Sequence, residues 1–387
     1  MGLRFAVIGS GMQGTAGGYD LAHFGAADQV IMADVSEARA QQAAQKINQL
    51  TGKKTAVARK VDARSKADLI KLSEEVDGIL SATSYELNLG ITEAAIEGSA
   101  HLVDLGGNTD VVFAQMKLSE KAKQKALSII PDCGLAPGLG NTLAALAISQ
   151  FDQAERVQIR CGGLPQKPRG PLDYKLVFSV RGLTNEYFGK AWIIQDGKRV
   201  CVDTFQDVEA LEFPAPVGQC EAFPTSGGTS TVPWTFEGKV KHLDYRTVRY
   251  PGHYAKMKCI LDLGLLDLDP VEIDGSRVIP REIFHKIVPQ KIAYPDDHDL
   301  VVLRVNAEGV KDGKKASVTY DLMDLQDPKT GFSAMERTTA FPAALVLLHA
   351  ARGQAQRGVV ALETALNNQA YFDELLTHGM SIKTIRG

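Results

Sequence analysis

The chain has 387 residues, 44% hydrophobic and 23% charged, with a formal net charge of -3. That length exceeds what one core serves and predicts two domains, and the faintly acidic balance excludes nucleic acid as the main partner. No stretch approaches the roughly 18 consecutive apolar residues of a membrane span. The N-terminus enters an apolar strand with no basic-then-apolar leader, so the expectation is a cytoplasmic protein. The five cysteines are odd in number and widely spaced, giving neither a disulfide framework nor a CxxC site, and the eight histidines form no HExxH. Asp296-Asp297-His298 reads as a solvated turn, so no metal site is expected.

Phe5-Ala6-Val7-Ile8 leads into Gly9-Ser10-Gly11-Met12-Gln13-Gly14, and an apolar helical stretch leads out to Phe24. This is strand, tight turn, helix. Gly9 allows the sharp turn, Gly11 the close approach of backbone to a pyrophosphate, and Gly14 the packing of helix on strand. The pyrophosphate would rest on the free amides at the helix start. A second apolar run, residues 30–33, ends in Asp34, twenty residues after Gly14, where a carboxylate can accept both ribose hydroxyls of NAD and repel a 2′-phosphate. Neither Val35 nor Ser36 supplies an arginine for such a phosphate.

Beyond Asp34 the pattern alternates. Helices are expected at residues 37–50, 66–74, 87–97 and 111–125, and strands at 55–61, 78–81, 101–104 and 128–131. Six strands with intervening helices make a doubly wound Rossmann domain over residues 1–132, with ligands beyond the carboxyl ends of the strands. Asp62 and Ala63 should flank the adenine, and Ala82 and Thr83 the pyrophosphate and ribose. Leu105, Gly106 and Gly107 complete the cofactor contacts, with Tyr85, Asp104 and Asp132 nearest the nicotinamide.

From Cys133 the composition shifts to a Gly/Pro-rich linker and a helix at 142–150, then to strands at 155–161, 240–249 and 316–323. Hairpin turns are expected at Asp196-Gly197 and Asp312-Gly313. Leu303, Val305 and Ala307 alternate with Arg304, Asn306 and Glu308, the mark of a sheet covered on one face. Residues 133–335 therefore form a second, α+β mixed-sheet domain for substrate. Residues 336–387, apolar over 335–351, are expected as helices returning to the first domain.

Three loops of the second domain carry candidate chemistry. Tyr174 offers a hydroxyl, and Thr225 and Ser226 open a Thr/Ser/Gly run that suits a carboxylate or a plain loop. Arg249 is a fork for a carboxylate or a member of an interdomain ion pair. His253 stands just before a helix as a candidate base or an ordinary surface residue.

Several runs resemble the saccharopine dehydrogenase family, and within it the lysine 6-dehydrogenases. They are Gly9 to Gly14, Val-Asp-Leu-Gly-Gly at 103–107, Ile-Pro-Asp-Cys-Gly-Leu-Ala-Pro-Gly from Ile130, Phe-Pro-Thr-Ser-Gly-Gly-Thr-Ser-Thr from Phe223, Thr-Val-Arg-Tyr-Pro-Gly-His from Thr247 and Val-Ile-Pro-Arg-Glu-Ile-Phe from Val278. The resemblance implies NAD-dependent oxidation of the ε-amino carbon of L-lysine, giving ammonia and 2-aminoadipate 6-semialdehyde, which cyclises. His253 or Asp132 would take the amine proton. Arg249, Thr225 and Ser226 would meet the α-carboxylate, and Tyr85 and Tyr174 would line the aliphatic chain. In the saccharopine-forming relatives the positions resembling Tyr85 and Asp132 contact substrate. Alternatives are a saccharopine reductase, a carboxynorspermidine-type enzyme, or a catalytically silent NAD-binding regulator. Self-association into a homo-oligomer is expected.

Overall fold

The computed structural model describes residues 2–387. Its first sheet is parallel throughout, seven strands in the order Gly358–Val359, Ser128–Ile130, His101–Asp104, Gly78–Ser81, Arg4–Ile8, Gln29–Asp34, Ala56–Lys60. The run Phe5-Ala6-Val7-Ile8 is buried on both faces, as a central parallel strand requires. The order reverses at Arg4–Ile8, so the crevice at the switch point opens over the glycine turn. Six strands stand where the apolar runs placed them. The seventh comes from residues 358–359 and is too short to leave a periodic mark.

Around this sheet the expected helices form, with one difference. The stretch read as one helix over 111–125 is two, Thr109–Met116 and Ser119–Gln124. The first begins early because the Asn108 side chain caps it, accepting from the amides of Asp110 and Val111.

The second sheet runs Glu209–Phe213, Gly218–Phe223, Val240–Arg249, Gln153–Pro165, Asp299–Lys311, Lys314–Leu325, Ile382–Arg386. The pairing of Val240–Arg249 with Gln153–Pro165 is parallel and its other neighbours pair antiparallel. Both Asp-Gly turns have positive φ at their two central residues, 48° and 78° at 196–197 and 52° and 73° at 312–313, so they are type I′ hairpins. On Val240–Arg249, Tyr245, Thr247 and Arg249 are buried on one face while Asp244 and Arg246 point to the other.

The helix Ala334–Ala351 packs against the first helix, Met12–His23, and is buried nearly all round. Gly17 lets the first helix lie close on the sheet, since an added Cβ would stand 2.4 Å from Leu80, while Ala340 of the later helix would be at ordinary contact distance, 3.8 Å. Its N-terminus is held by the second sheet: both carboxylate oxygens of Asp299 accept from the amides of Ala334 and Met335, at 2.8 and 2.9 Å. The C-terminal stretch does not stay with the first domain. Its last strand, Ile382–Arg386, pairs with Lys314–Leu325 and so ends the chain in the second sheet. Ile382 and Ile385 with Lys383, Thr384 and Arg386 are too few apolar positions to announce a strand. No helix among the described residues is long and apolar enough to cross a membrane.

Candidate active site between the two sheets

The glycine turn has the geometry its three positions require. Gly9 sits at φ +96° and donates its amide to the Ala33 carbonyl at 2.8 Å. A Cβ added at Gly14 would lie 1.7 Å from the Gly9 carbonyl oxygen, whereas one added at Gly11 would meet nothing within 4 Å. Gly14 is therefore closed by packing and Gly11 faces open space at the start of a twelve-residue helix. Met12 is exposed there, while Gln13 turns away and donates to the Met335 carbonyl at 3.2 Å.

Asp34 ends its strand beside Ser10. Its carboxylate accepts from the Ser10 amide at 3.0 Å, the Ser36 amide at 2.8 Å, and the Arg39 guanidinium at 2.9 and 3.1 Å. Burial opposes its charge, but these donors outweigh burial and hold its pKa below the usual carboxylate value. Arg39, one helical turn beyond Ser36, escaped the sequence reading, which weighed only the two residues next to Asp34. Asp62 closes a turn on the Arg64 amide at the end of the neighbouring strand. Ala82 takes its amide to the Ile8 carbonyl, and the Thr83 hydroxyl is 3.1 Å from that of Ser81. An open helix start, a glycine without obstruction and a carboxylate at the ribose end fit a dinucleotide.

At the other end of this crevice two carboxylates are buried together. Asp104 ends its strand and accepts from the Gly106 and Asp132 amides at 2.9 and 3.0 Å and from Gln115 at 2.8 Å. Asp132, at φ +58°, is 3% exposed, and among the described residues its Oδ1 accepts no well-formed hydrogen bond, although the Ser230 hydroxyl and the Gly107 amide stand near enough to favour its charge. Burial first, and then the Asp104 charge, push Asp132 up to about 7. The loop Leu105-Gly106-Gly107 threads past it: a Cβ on Gly106 would fall 2.1 Å from Asp132 Oδ1, and one on Gly107 would fall 3.2 Å from the Tyr85 ring. Tyr85, the two glycines and Asp132 thus line one wall. The buried Ser230 hydroxyl is the nearest side-chain donor to that carboxylate, and Glu363, held by the Thr231 and Thr235 hydroxyls, adds negative field to Asp132.

Across from this wall the second domain presents a cluster around Arg249. Its Nε donates to the Tyr187 hydroxyl at 2.7 Å and its Nη1 to the Val248 carbonyl at 2.9 Å. Its guanidinium carbon lies 4.9 Å from the Tyr174 ring centre and 5.6 Å from that of Tyr187. Asn185 Nδ2 reaches the Gly107 carbonyl at 3.5 Å and joins the cluster to the first domain.

His253 is fully buried, with Nδ1 2.8 Å from the Leu172 carbonyl and Nε2 3.0 Å from the Tyr187 hydroxyl. A carbonyl only accepts, so Nδ1 carries the proton and Nε2 accepts from Tyr187. Burial and the neighbouring Arg249 charge lower its pKa to about 3. Neither nitrogen is free to act as a base, and the geometry gives His253 the role of anchoring Tyr187 against Arg249. Thr225 and Ser226 are likewise committed: the first hydroxyl pairs with Thr247 at 2.7 Å, and the second donates to the Asn185 carbonyl at 2.8 Å. Of the residues read from sequence, Tyr85 and Asp132 come together on one wall, and Tyr174, Arg249 and His253 on the other. Tyr187, Glu186 and Glu363 were not anticipated, since they lie in segments with no motif, and Ser230 lies within the Thr/Ser/Gly run from Phe223 but was not singled out from it. Among the described residues no His, Cys, Asp and Glu side chains gather three or more to a metal.

A doubly wound sheet with an open glycine turn, and a mixed sheet facing the nicotinamide end, define the class as a two-domain dinucleotide-binding protein. Residues 5–130 match the family model described as the saccharopine dehydrogenase NADP binding domain, and residues 134–380 that of the saccharopine dehydrogenase C-terminal domain. The chain belongs to the saccharopine dehydrogenase family. It is 25% identical over 230 residues to the saccharopine dehydrogenase [NADP(+), L-glutamate-forming] of Pyricularia oryzae, a match covering 57% of this chain and 50% of the relative. The Schizosaccharomyces pombe protein of the same name is 27% identical over 216 residues, covering 54% and 47%. The chain spans about half the length of these curated relatives. Apo saccharopine dehydrogenase (L-Glu forming) from Saccharomyces cerevisiae superposes with a TM-score of 0.80 at 20% identity over 100% of both chains, which shows the shared fold.

Proposed function

We propose that this protein is an NAD-dependent dehydrogenase that oxidises the ε-amino carbon of L-lysine to 2-aminoadipate 6-semialdehyde with release of ammonia. The observation that carries this reading is the gathering of buried acids at the nicotinamide end: among the described residues no cationic side chain forms a salt bridge with Asp104, Asp132 or Glu363, and burial raises the pKa of all three. An acidic pocket suits an ammonium substrate. A saccharopine substrate would bring three carboxylates, and the cluster described across the cleft offers a single buried guanidinium, Arg249, whose Nε and Nη1 are bonded to Tyr187 and Val248 and which keeps one edge for one carboxylate.

The amine must lose a proton before its carbon can give up a hydride, because the free side chain, with pKa about 10.4, is charged at neutral pH. Asp132 is placed for this. Its pKa of about 7 makes it largely ionised just above neutrality, and its Oδ1, only loosely approached by Ser230 and the Gly107 amide, has capacity to accept. A bound nicotinamide supplies the hydride acceptor. The balance is one lysine ammonium, one oxidised nucleotide and one water giving the aldehyde, ammonium, the reduced nucleotide and one proton. Arg249 is suited to the α-carboxylate, Tyr85 and Tyr174 to the aliphatic chain, and His253 to holding Tyr187 in register.

A second reading, an NADP-dependent saccharopine dehydrogenase, draws on the printed names of the relatives and on Arg39, which could turn from Asp34 to a 2′-phosphate. A panel decides between them: initial rates with L-lysine and with saccharopine, each with NAD and NADP. Lysine with NAD is the expected productive pair. Faster turnover of saccharopine with NADP moves the assignment to the second reading.

Asp34 provides a separate check on the nucleotide. Hydrogen bonds to a charged group are worth about 1.5–3 kcal/mol, so Asp34→Ala weakens NAD by roughly ten- to a hundredfold. NADP binding stays equal or improves, since the repelling charge is gone and Arg39 is released. Titration of both nucleotides measures this, and equal loss of the two would place Asp34 away from the ribose.

A further inference from the structure

One charge pair in the cleft has bonding capacity that the protein itself does not use. Glu186 ends the short helix Val180–Glu186, and its carboxylate lies 3.7 Å from Arg249 Nη2, too far for a hydrogen bond. The other guanidinium nitrogens have near partners, as described. The Glu186 side chain is 30% exposed although it adjoins the buried cluster, whereas that of Arg249 is 3% exposed. Glu186 is thus the more accessible side of the pair, although burial still raises its carboxyl to about 7 against the Arg249 charge. Beside them the Tyr174 hydroxyl is fully buried and, among the described residues, makes no well-formed hydrogen bond, although the Val177 backbone stands near enough to favour its ionised form. A guanidinium edge, a carboxylate and a phenol therefore converge, each with a bond to give or accept.

The position of this group is fixed by Asn185, the preceding residue. Its side chain meets the Gly107 carbonyl and its own carbonyl accepts from Ser226. Gly107 abuts Tyr85, and Gly106 abuts Asp132. The pair stands across the domain boundary from the wall that carries the buried carboxylates.

We infer that Glu186 and Arg249 form a clamp for the zwitterionic end of an amino-acid substrate, Glu186 taking the α-ammonium and Arg249 the α-carboxylate. An α-amino acid carries its two charges on one carbon, and a loosely held acid–base pair matches it with each charge meeting its opposite. With no substrate Glu186, raised to about 7 by burial, offsets the Arg249 charge only in part, and on binding each group meets an opposite charge of the substrate, so neither is left alone in a recessed site. The Tyr174 hydroxyl donates to the carboxylate. The clamp selects α-amino acids over simple diamines and ω-amino acids of the same length. It rests on the reading of an amino-acid substrate given above.

The test compares L-lysine with 6-aminohexanoate, which has the same reacting amine and carboxylate but no α-amine. With NAD, the wild-type protein should favour lysine in kcat/KM by roughly 10- to 100-fold, the scale of one hydrogen bond to a charged group. Glu186→Gln should lose most of that factor on lysine and leave 6-aminohexanoate nearly unchanged. Equal loss on both substrates would overturn the clamp. A second measurement needs no variant: titration of the wild-type protein with NADH present, using L-norleucine and hexanoate, which cannot react. Norleucine should bind at least about tenfold more tightly, and equal affinity overturns the clamp. A wild-type protein that oxidises neither amine overturns the functional reading, while the norleucine comparison still judges the clamp by itself.

Discussion

Asp132→Asn lowers kcat for lysine oxidation by roughly 10²–10⁴-fold, the contribution expected of a positioned base, and leaves NAD affinity close to that of the wild type. Asparagine keeps the shape that fits against Gly106 and removes the charge that accepts the proton. The variant also loses the rise in rate through pH 7 that an acid of pKa about 7 imposes. The same substitution has an opposite effect on stability. The folded pKa of Asp132 lies above the unfolded value of about 3.9, so between these two the folded state holds a proton that the unfolded state has lost. Wild-type stability therefore falls as pH rises from about 4 to 7, and this loss is complete above the folded pKa. Asparagine has no such slope. Thermal melting at pH 8 should show Asp132→Asn more stable than the wild type, with the difference shrinking toward pH 4. An inactive variant that is also less stable at pH 8 would mean that the Ser230 hydroxyl and the Gly107 amide hold the Asp132 carboxylate in place and that its ionised form is structural.

Gly14→Ala weakens nucleotide binding by on the order of a hundredfold or more. Its Cβ would stand 1.7 Å from the Gly9 carbonyl oxygen, and that atom belongs to backbone, which cannot swing aside. The helix start must back away from the strand, and overpacking of this kind costs about 1–3 kcal/mol of stability. The larger effect falls on the ligand, because the amides that would hold the pyrophosphate move with the helix. Losing two bonds to a charged group predicts NAD weaker by on the order of a hundredfold or more. Gly11→Ala is the control: its Cβ meets no protein atom, so the apo protein should melt as the wild type does while NAD still weakens. Fluorescence titration and thermal melting of the two variants separate packing from ligand approach.

What the sequence disclosed follows from how local each feature is. The glycine turn, Asp34 and six parallel strands are written in contiguous residues, because turn, helix start and buried strand each answer a local demand. The alternation at 303–308 is of the same kind, and Leu303, Val305 and Ala307 are fully buried. The strand-end rule also drew Tyr85, Asp104 and Asp132 together, and the structure sets Asp104 and Asp132 one hydrogen bond apart. Arg39 was not legible as a partner of Asp34 because the helix brings it back across five residues. His253 was misread for a different reason. The Pro-Gly before it looks like a surface turn, but Leu172 and Tyr187, from 81 and 66 residues away in the chain, close over the ring and occupy both nitrogens. The seventh strand of the first sheet and the last strand of the second depend on partners rather than on their own pattern.

The most direct test of the central claim is to supply L-lysine deuterated at both hydrogens of carbon 6, together with NAD, and to weigh the nucleotide recovered. Transfer from the ε-carbon predicts NADH one mass unit heavier than that from unlabelled lysine, formed in equal amount with ammonia. NADH without the label, or no NADH from lysine while saccharopine reduces NADP, would contradict it.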